Sequence, residues 1–305
     1  MSAVEDRVVR EKHASLDYEV GREKVREYAA AVGETNRIYF DPEAAVEAGY
    51  RGLVAPPMFC SVYSAPAMAR VAFDPELGID RARLVHGEQT FVWSEPVCAG
   101  DVVTTTAEVT AVRTKGSHAF YDFTSVSTNQ NGAETVRGTY TGIVRGGASA
   151  VRDHARPMTV ADAAGGSRAG SPPPGLSAGD ELPGFRVTPD KYLTYRYAGA
   201  SGDFTPIHID TEFARSVGLP GIILHGFYTM AIVARAQIEG LGGDPRALRR
   251  LSVRFRGVGV PEAEVEVSGR VKEIAGGSAT VEIRALQDGR EIVGNAEALL
   301  VDPLS

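Results

Sequence analysis

Only two cysteines, Cys60 and Cys98, occur in the 305 residues. They form no metal-type spacing and no disulfide framework, a usage that fits a reducing cytoplasm. Long apolar runs are also missing, and none approaches the ~18 residues that a membrane span requires. No long basic run occurs and the net charge is -7, which argues against nucleic acid as the main partner. That balance still leaves room for a local basic patch facing a phosphate-bearing carrier. The first residues, MSAVEDRVVREKH, are charged and lack an apolar core, so no signal peptide is expected. What remains is 43% hydrophobic and 23% charged, the composition of an ordinary globular protein. The length suits two domains or one double domain. A soluble, cytoplasmic protein is expected, with neither membrane nor nucleic acid as partner.

An internal repeat organises the chain. A shift of 169 residues lays Tyr28 on Tyr197, Gly33 on Gly202, Ile38 on Ile207, Asp41 on Asp210, Gly49 on Gly218 and Gly52 on Gly221. Between Tyr28–Phe59 and Tyr197–Tyr228 ten of thirty-two positions are identical without a gap, where chance gives about two or three. The differences are more telling. Asp203 faces Glu34, Thr205 faces Asn36, Pro206 faces Arg37, His208 faces Tyr39, and His225-Gly226 faces Pro56-Pro57. The first copy therefore lacks the imidazole, and proline there has no N–H to offer.

The second copy concentrates the chemistry. Asp203, Thr205, Pro206 and His208 fall within six residues, and the glycines and short polar residues of Gly199 to Pro206 predict a loop, a common seat for catalytic groups. An apolar segment, Phe227 to Ile238, predicts a buried helix. Starting at Gly226, that helix would aim free N–H groups and its positive dipole end at whatever the loop holds. Acid, imidazole and helix N-terminus together suit a reaction that moves protons and builds negative charge on an oxygen.

The stretch Tyr197-Ala-Gly-Ala-Ser-Gly-Asp203-Phe-Thr-Pro206-Ile-His208, followed by Leu224-His225-Gly226-Phe227, resembles the signature of MaoC-like R-specific enoyl-thioester hydratases and dehydratases. It departs from the usual pattern at Thr205, which stands where the family has Asn. The first half is similar to the family's N-terminal dehydratase region, in Tyr39-Phe-Asp-Pro-Glu and Leu84-Val-His-Gly-Glu-Gln. The resemblance implies catalysis by Asp203 and His208, with the Gly226 N–H on the thioester oxygen and Thr205 holding the water or hydroxyl. Gly202, Pro206, His225 and Phe227 would shape the substrate site, His225 as a buried histidine bonded to backbone rather than as a ligand or base. A metal held by Asp203, His208, Asp210 and His225 matches no common ligand spacing, and neither metal nor cofactor is expected.

The implied fold is α+β, a double hotdog: two antiparallel sheets, each wrapping a central helix. Period-two segments predict strands over 84–93, 101–113, 118–129 and 134–144, then 251–258, 263–274, 278–287 and 291–301. Helices follow each loop, over 58–72 and 227–238, and short strands precede the loops, near 182–188 in the second half. The expected domains are a silent hotdog over 1–146, a Gly/Pro/Ser-rich linker over 147–180, and a catalytic hotdog over 181–305. The partner would be an acyl-CoA or acyl-carrier-protein thioester, and the chain an internal pseudo-dimer open to further homodimerisation. Two alternatives stay open, a hotdog thioesterase and an inactive acyl-thioester-binding protein.

Overall fold

The computed structural model describes residues 15–80, 83–146, 154–155 and 171–304. Most of the expected linker, and the first fourteen residues, lie outside them. In chain order the elements are β1 (Leu16–Glu19), α1 (Arg22–Ala31), α2 (Pro42–Glu47), α3 (Cys60–Ala72), β2 (Leu84–Trp93), β3 (Val102–Lys115), β4 (His118–Asn129), β5 (Glu134–Val144) and β6 (His154–Ala155). The second half follows with β7 (Phe185–Val187), α4 (Leu193–Ser201), α5 (Thr211–Ser216), α6 (Gly226–Glu239), β8 (Leu248–Phe255), β9 (Val265–Ala275), β10 (Ser278–Gln287) and β11 (Arg290–Leu300). The chain forms two compact units, one of residues 1–19, 63–95 and 101–167, the other of 20–62, 96–100 and 168–305.

In the first unit the strand order is β1-β3-β4-β5-β2, antiparallel throughout, with β6 on β3. Helix α3 lies on this sheet, where Ala67, Val71 and Ala72 join Val109, Tyr121, Phe123 and Val144 in one core cluster. In the second unit the order is β7-β9-β10-β11-β8, again antiparallel. Strand β9 alternates buried and exposed residues, the period of a sheet with one covered face. Helix α6 covers it and is buried almost all round, from Tyr228 to Ile238. Both units are thus a long helix on an antiparallel sheet with the same strand order.

The hairpins lie where the turn residues put them. Gly276 and Gly277, and Asp288 and Gly289, all take positive φ, the backbone of a two-residue hairpin turn whose twist matches its strands. The 169-residue repeat is equally visible in the backbone. The one-turn 3₁₀ helix Arg37–Tyr39 matches Pro206–His208, and α2 matches α5 residue for residue. The latter pair is capped alike: Asp41 accepts from Glu43 N–H, and Asp210 from Glu212 and Phe213 N–H at 2.9 and 3.0 Å. Asp210→Ala is expected to cost about 1 kcal/mol through loss of this N-cap, read as a lower denaturant midpoint at unchanged slope.

Three expectations need correction. Gly199, Ala200 and Ser201 are the last turn of α4, not loop. Burial of Leu193, Tyr197, Ala198 and Ala200 outweighs the helix cost of a glycine, and Gly199 C=O is held by Lys24 Nζ at 3.1 Å. Strand β8 begins at Leu248 and ends at Phe255 rather than running over 251–258, since Leu248, Leu251 and Val253 are buried whereas Gly257 and Val258 are exposed. The helix expected from residue 58 starts as a 3₁₀ turn, Pro57–Phe59, and becomes α-helical at Cys60.

Candidate active site

The loop after α4 is built from local hydrogen bonds. Gly202 takes φ 80°, the left-handed conformation that ends a helix at little cost for glycine. Ser201 Oγ donates to Tyr197 C=O at 2.7 Å and accepts from Asp203 N–H at 3.2 Å. The half-buried Asp203 carboxylate accepts from Thr205 N–H at 3.1 Å and from Thr205 Oγ1–H at 2.6 Å. Threonine here fastens the acid in place, a task its short hydroxyl performs as a neighbour. Pro206 begins the 3₁₀ turn, and His208 N–H closes it on Thr205 C=O at 2.9 Å.

That turn carries His208 inward, to 7% exposure. Its Nδ1 lies 2.9 Å from Ile223 C=O. A carbonyl only accepts, so Nδ1 carries the proton and Nε2 keeps its lone pair. Burial lowers the pKa of His208, opposed by the Ile223 bond and the Asp203 carboxylate, so the ring is neutral and able to take a proton at neutral pH.

His225 is buried, at 1% exposure, and its Nε2–H donates to Asp203 C=O at 3.0 Å. Its ring stacks on His208, with centroids 3.9 Å apart and planes 24° apart, and lies 4.8 Å from the Tyr197 ring. Burial and then the neighbouring His208 draw its pKa down to about 4, the Asp203 carbonyl and carboxylate acting the other way. Gly226 follows as the first residue of α6, whose N-cap side chain makes no hydrogen bond to the first turn. Its amide sits at the positive end of a 14-residue helix. Phe255 packs against Gly226, 3.3 Å from where a Cβ would stand. Phe227, next in the turn, is half-buried.

Asp203, His208 and His225 offer donor atoms within 4.8 Å of one another. Sequence spacing alone did not show that His225 joins this group, while Asp210 is committed to its helix cap. As a metal site the trio fits poorly. One nitrogen of each imidazole already serves a carbonyl, and near-parallel stacked rings would have to splay before both reached one ion at Zn–N distances of ~2.0–2.1 Å. A neutral imidazole, a carboxylate and a helix-terminal amide suit proton transfer beside a developing oxyanion.

The counterpart loop of the first copy carries different groups. Tyr39, in place of His208, is buried with its hydroxyl unpartnered. Asn36 accepts from Ile38 N–H and donates to Gly243 C=O at 2.9 Å. Pro57 replaces Gly226 at the start of its helical turn. Glu34, half-buried in place of Asp203, is pushed up to about 7 by burial, with Arg235 opposing and Glu239 adding to the rise. Between its unfolded value and about 7 the folded carboxyl therefore holds a proton that the unfolded chain has lost, so stability falls as pH rises through that window. Glu34→Gln is expected to match wild type near pH 4 and to exceed it by about 1–2 kcal/mol at pH 8. Denaturant midpoints at both pH values check this; equal pH dependence in the two proteins would contradict it.

Sequence reasoning missed Ser201 as the hydroxyl holding Asp203 N–H, and Ile223, whose carbonyl sets the His208 tautomer. Ser201 stood in the motif beside Gly202. A backbone carbonyl leaves no trace in side-chain identity.

Comparison with known proteins agrees with this architecture. Residues 8–137 match the family model described as "FAS1-like, dehydratase domain region", and residues 180–288 match "MaoC like domain". A UPF0336 protein of Clavibacter michiganensis is 45% identical over 133 residues, 44% of this chain and 89% of that one. A solved MaoC-like dehydratase is 28% identical, with a TM-score of 0.81 over 98% of this chain and 99% of its own. A Mycobacterium tuberculosis protein with a double hotdog fold gives a TM-score of 0.63 at 12% identity, over 98% and 97% of the two chains. The fold is a double hotdog of the hydratase and dehydratase class. The chain belongs with the UPF0336 proteins and joins a FAS1-like dehydratase region to a MaoC-like domain.

Proposed function

We propose that the chain catalyses the reversible dehydration of (3R)-hydroxyacyl thioesters to trans-2-enoyl thioesters, at the Asp203/His208 loop of its second half. The observation that carries this is the state of His208: neutral, with Nε2 unprotonated because Nδ1–H is given to Ile223 C=O, and next to the Asp203 carboxylate. His208 removes the C2 proton of the hydroxyacyl thioester. Gly226 N–H stabilises the enolate oxygen that develops. Asp203, steadied by Thr205, hydrogen-bonds the C3 hydroxyl, which leaves as water when the C2 proton is passed to it. No net proton is gained or lost, and the chemistry calls on no cofactor or metal.

In this reading residues 181–305 form the catalytic hotdog, residues 1–146 a non-catalytic one, and 147–180 the linker. Gly202 and Pro206 shape the loop, and Phe227 lines the substrate site. The substrate is carried on CoA or acyl carrier protein, in cytoplasmic fatty-acid or polyketide metabolism. The test is addition of crotonyl-CoA or a longer trans-2-enoyl-CoA, followed by enoyl absorbance and by free thiol. Loss of absorbance without thiol release is expected. Thiol release would instead indicate a thioesterase, and no change with either CoA or carrier-protein substrates would leave a binding protein.

A further inference from the structure

His225 joins three parts of the site at once. Its Nε2–H holds the Asp203 carbonyl, its ring covers one face of His208, and its own backbone leads into Gly226. Its Nδ1 is buried and has no hydrogen-bond partner, a condition that costs stability and that an apolar side chain would avoid. The ring is therefore placed for more than filling space. The repeat supplies an internal comparison. In the first copy, which has Glu34 in place of the acid but lacks the imidazole, the residue opposite His225 is Pro56, with no side-chain donor.

We propose that His225 is a positioning residue, whose Nε2–H to Asp203 C=O and whose stacking on His208 hold the acid loop and the base in register with the Gly226 amide. This rests on the function proposed above. The hydrogen bond sets where the Asp203 backbone sits, and thus where its carboxylate meets the substrate hydroxyl. The stack sets the plane of His208 and hence the direction of its Nε2 lone pair. Small displacements of such groups carry large kinetic penalties. The titratable groups facing His225 are Asp203 and His208 from the loop and Tyr197 from α4.

The experiment compares His225→Phe, which keeps the stack and loses the donor, with His225→Gln, which restores an N–H donor. In His225→Phe, kcat for enoyl-CoA hydration is expected to fall roughly 10- to 100-fold with KM within about threefold, and His225→Gln, which regains the donor but not the stack, to recover part of the loss. The acid limb of the pH profile is expected to stay in place in His225→Phe, because His208 remains covered. Wild-type kcat in His225→Phe would overturn the inference. So would equal losses in both variants with the acid limb displaced upward, the sign of a loosened core that admits water to His208. A second readout needs no activity: long-range ¹H–¹⁵N spectra should show His225 protonated on Nε2 and His208 on Nδ1. A His225 protonated on Nδ1 instead would have no donor for Asp203 and would overturn the inference even if every substrate failed. Wild-type inactivity alongside the expected tautomers would sink the proposed reaction and leave the positioning geometry standing.

Discussion

His208→Ala is expected to lower kcat/KM for enoyl-thioester hydration by roughly 10²–10⁴-fold, the share of the barrier that a positioned base removes. Nothing else at the loop can substitute. The Asp203 carboxylate takes both Thr205 bonds on one oxygen and is committed to the C3 hydroxyl, and His225 gives its Nε2–H to a carbonyl and buries its other nitrogen. The wild-type pH profile carries the same information. Burial lowers the pKa of His208, so activity should fall on acidification only below the ordinary histidine value of about 6.5. The alanine variant should lose that limb along with its rate. A profile with an unshifted acid limb that survives in His208→Ala would show that another group is the base.

Gly226→Pro is expected to cost roughly 10²–10³-fold in kcat, the effect of deleting one oxyanion donor, in a protein that still folds. Proline is well tolerated at the first position of a helix, where its missing N–H breaks no intrahelical bond. The residue before it must be extended, and His225 already is, at φ -63° and ψ 139°. The first copy makes the same point, with Pro57 at the matching position of its 3₁₀ turn. Gly226→Ala is the control. It adds a Cβ about as close to the Phe255 ring, at 3.3 Å, but keeps the amide, so it should stay within about tenfold of wild type. Equal losses in the two variants would mean that bulk against Phe255, not the N–H, sets the rate.

Much of this was legible in the residues, for identifiable physical reasons. The β-hairpins declare themselves because Gly276-Gly277 and Asp288-Gly289 adopt a backbone that few other pairs accept. The duplication survives in residues with fixed conformational jobs, such as the left-handed Gly33 and Gly202, at φ 75° and 80°, and the capping Asp41 and Asp210. The helices α1 and α4 were not legible in the same way. Gly199 argues against a helix locally, and only the packing of α1 on α4, with Tyr28 and Tyr197 ring centroids 5.8 Å apart, explains why one forms. For the same reason Val20–Val62, from the first half of the chain, groups with the second half in one compact unit, a pairing distant in sequence.

The site divides along similar lines. Asp203, Pro206 and His208 stand close together in the chain and are brought together by one loop and one turn, so their association could be read directly. The arrival of His225 on the face of His208, seventeen positions later, depends on how α6 is seated, and Ile223 acts through a carbonyl that any residue would supply.

The most direct test is the configuration of the product. Wild-type protein given crotonyl-CoA should yield (3R)-hydroxybutyryl-CoA, resolved by chiral analysis, and the His208→Ala variant should yield essentially none. An S product, a racemate that persists in the variant, or free CoA from wild type would contradict the account.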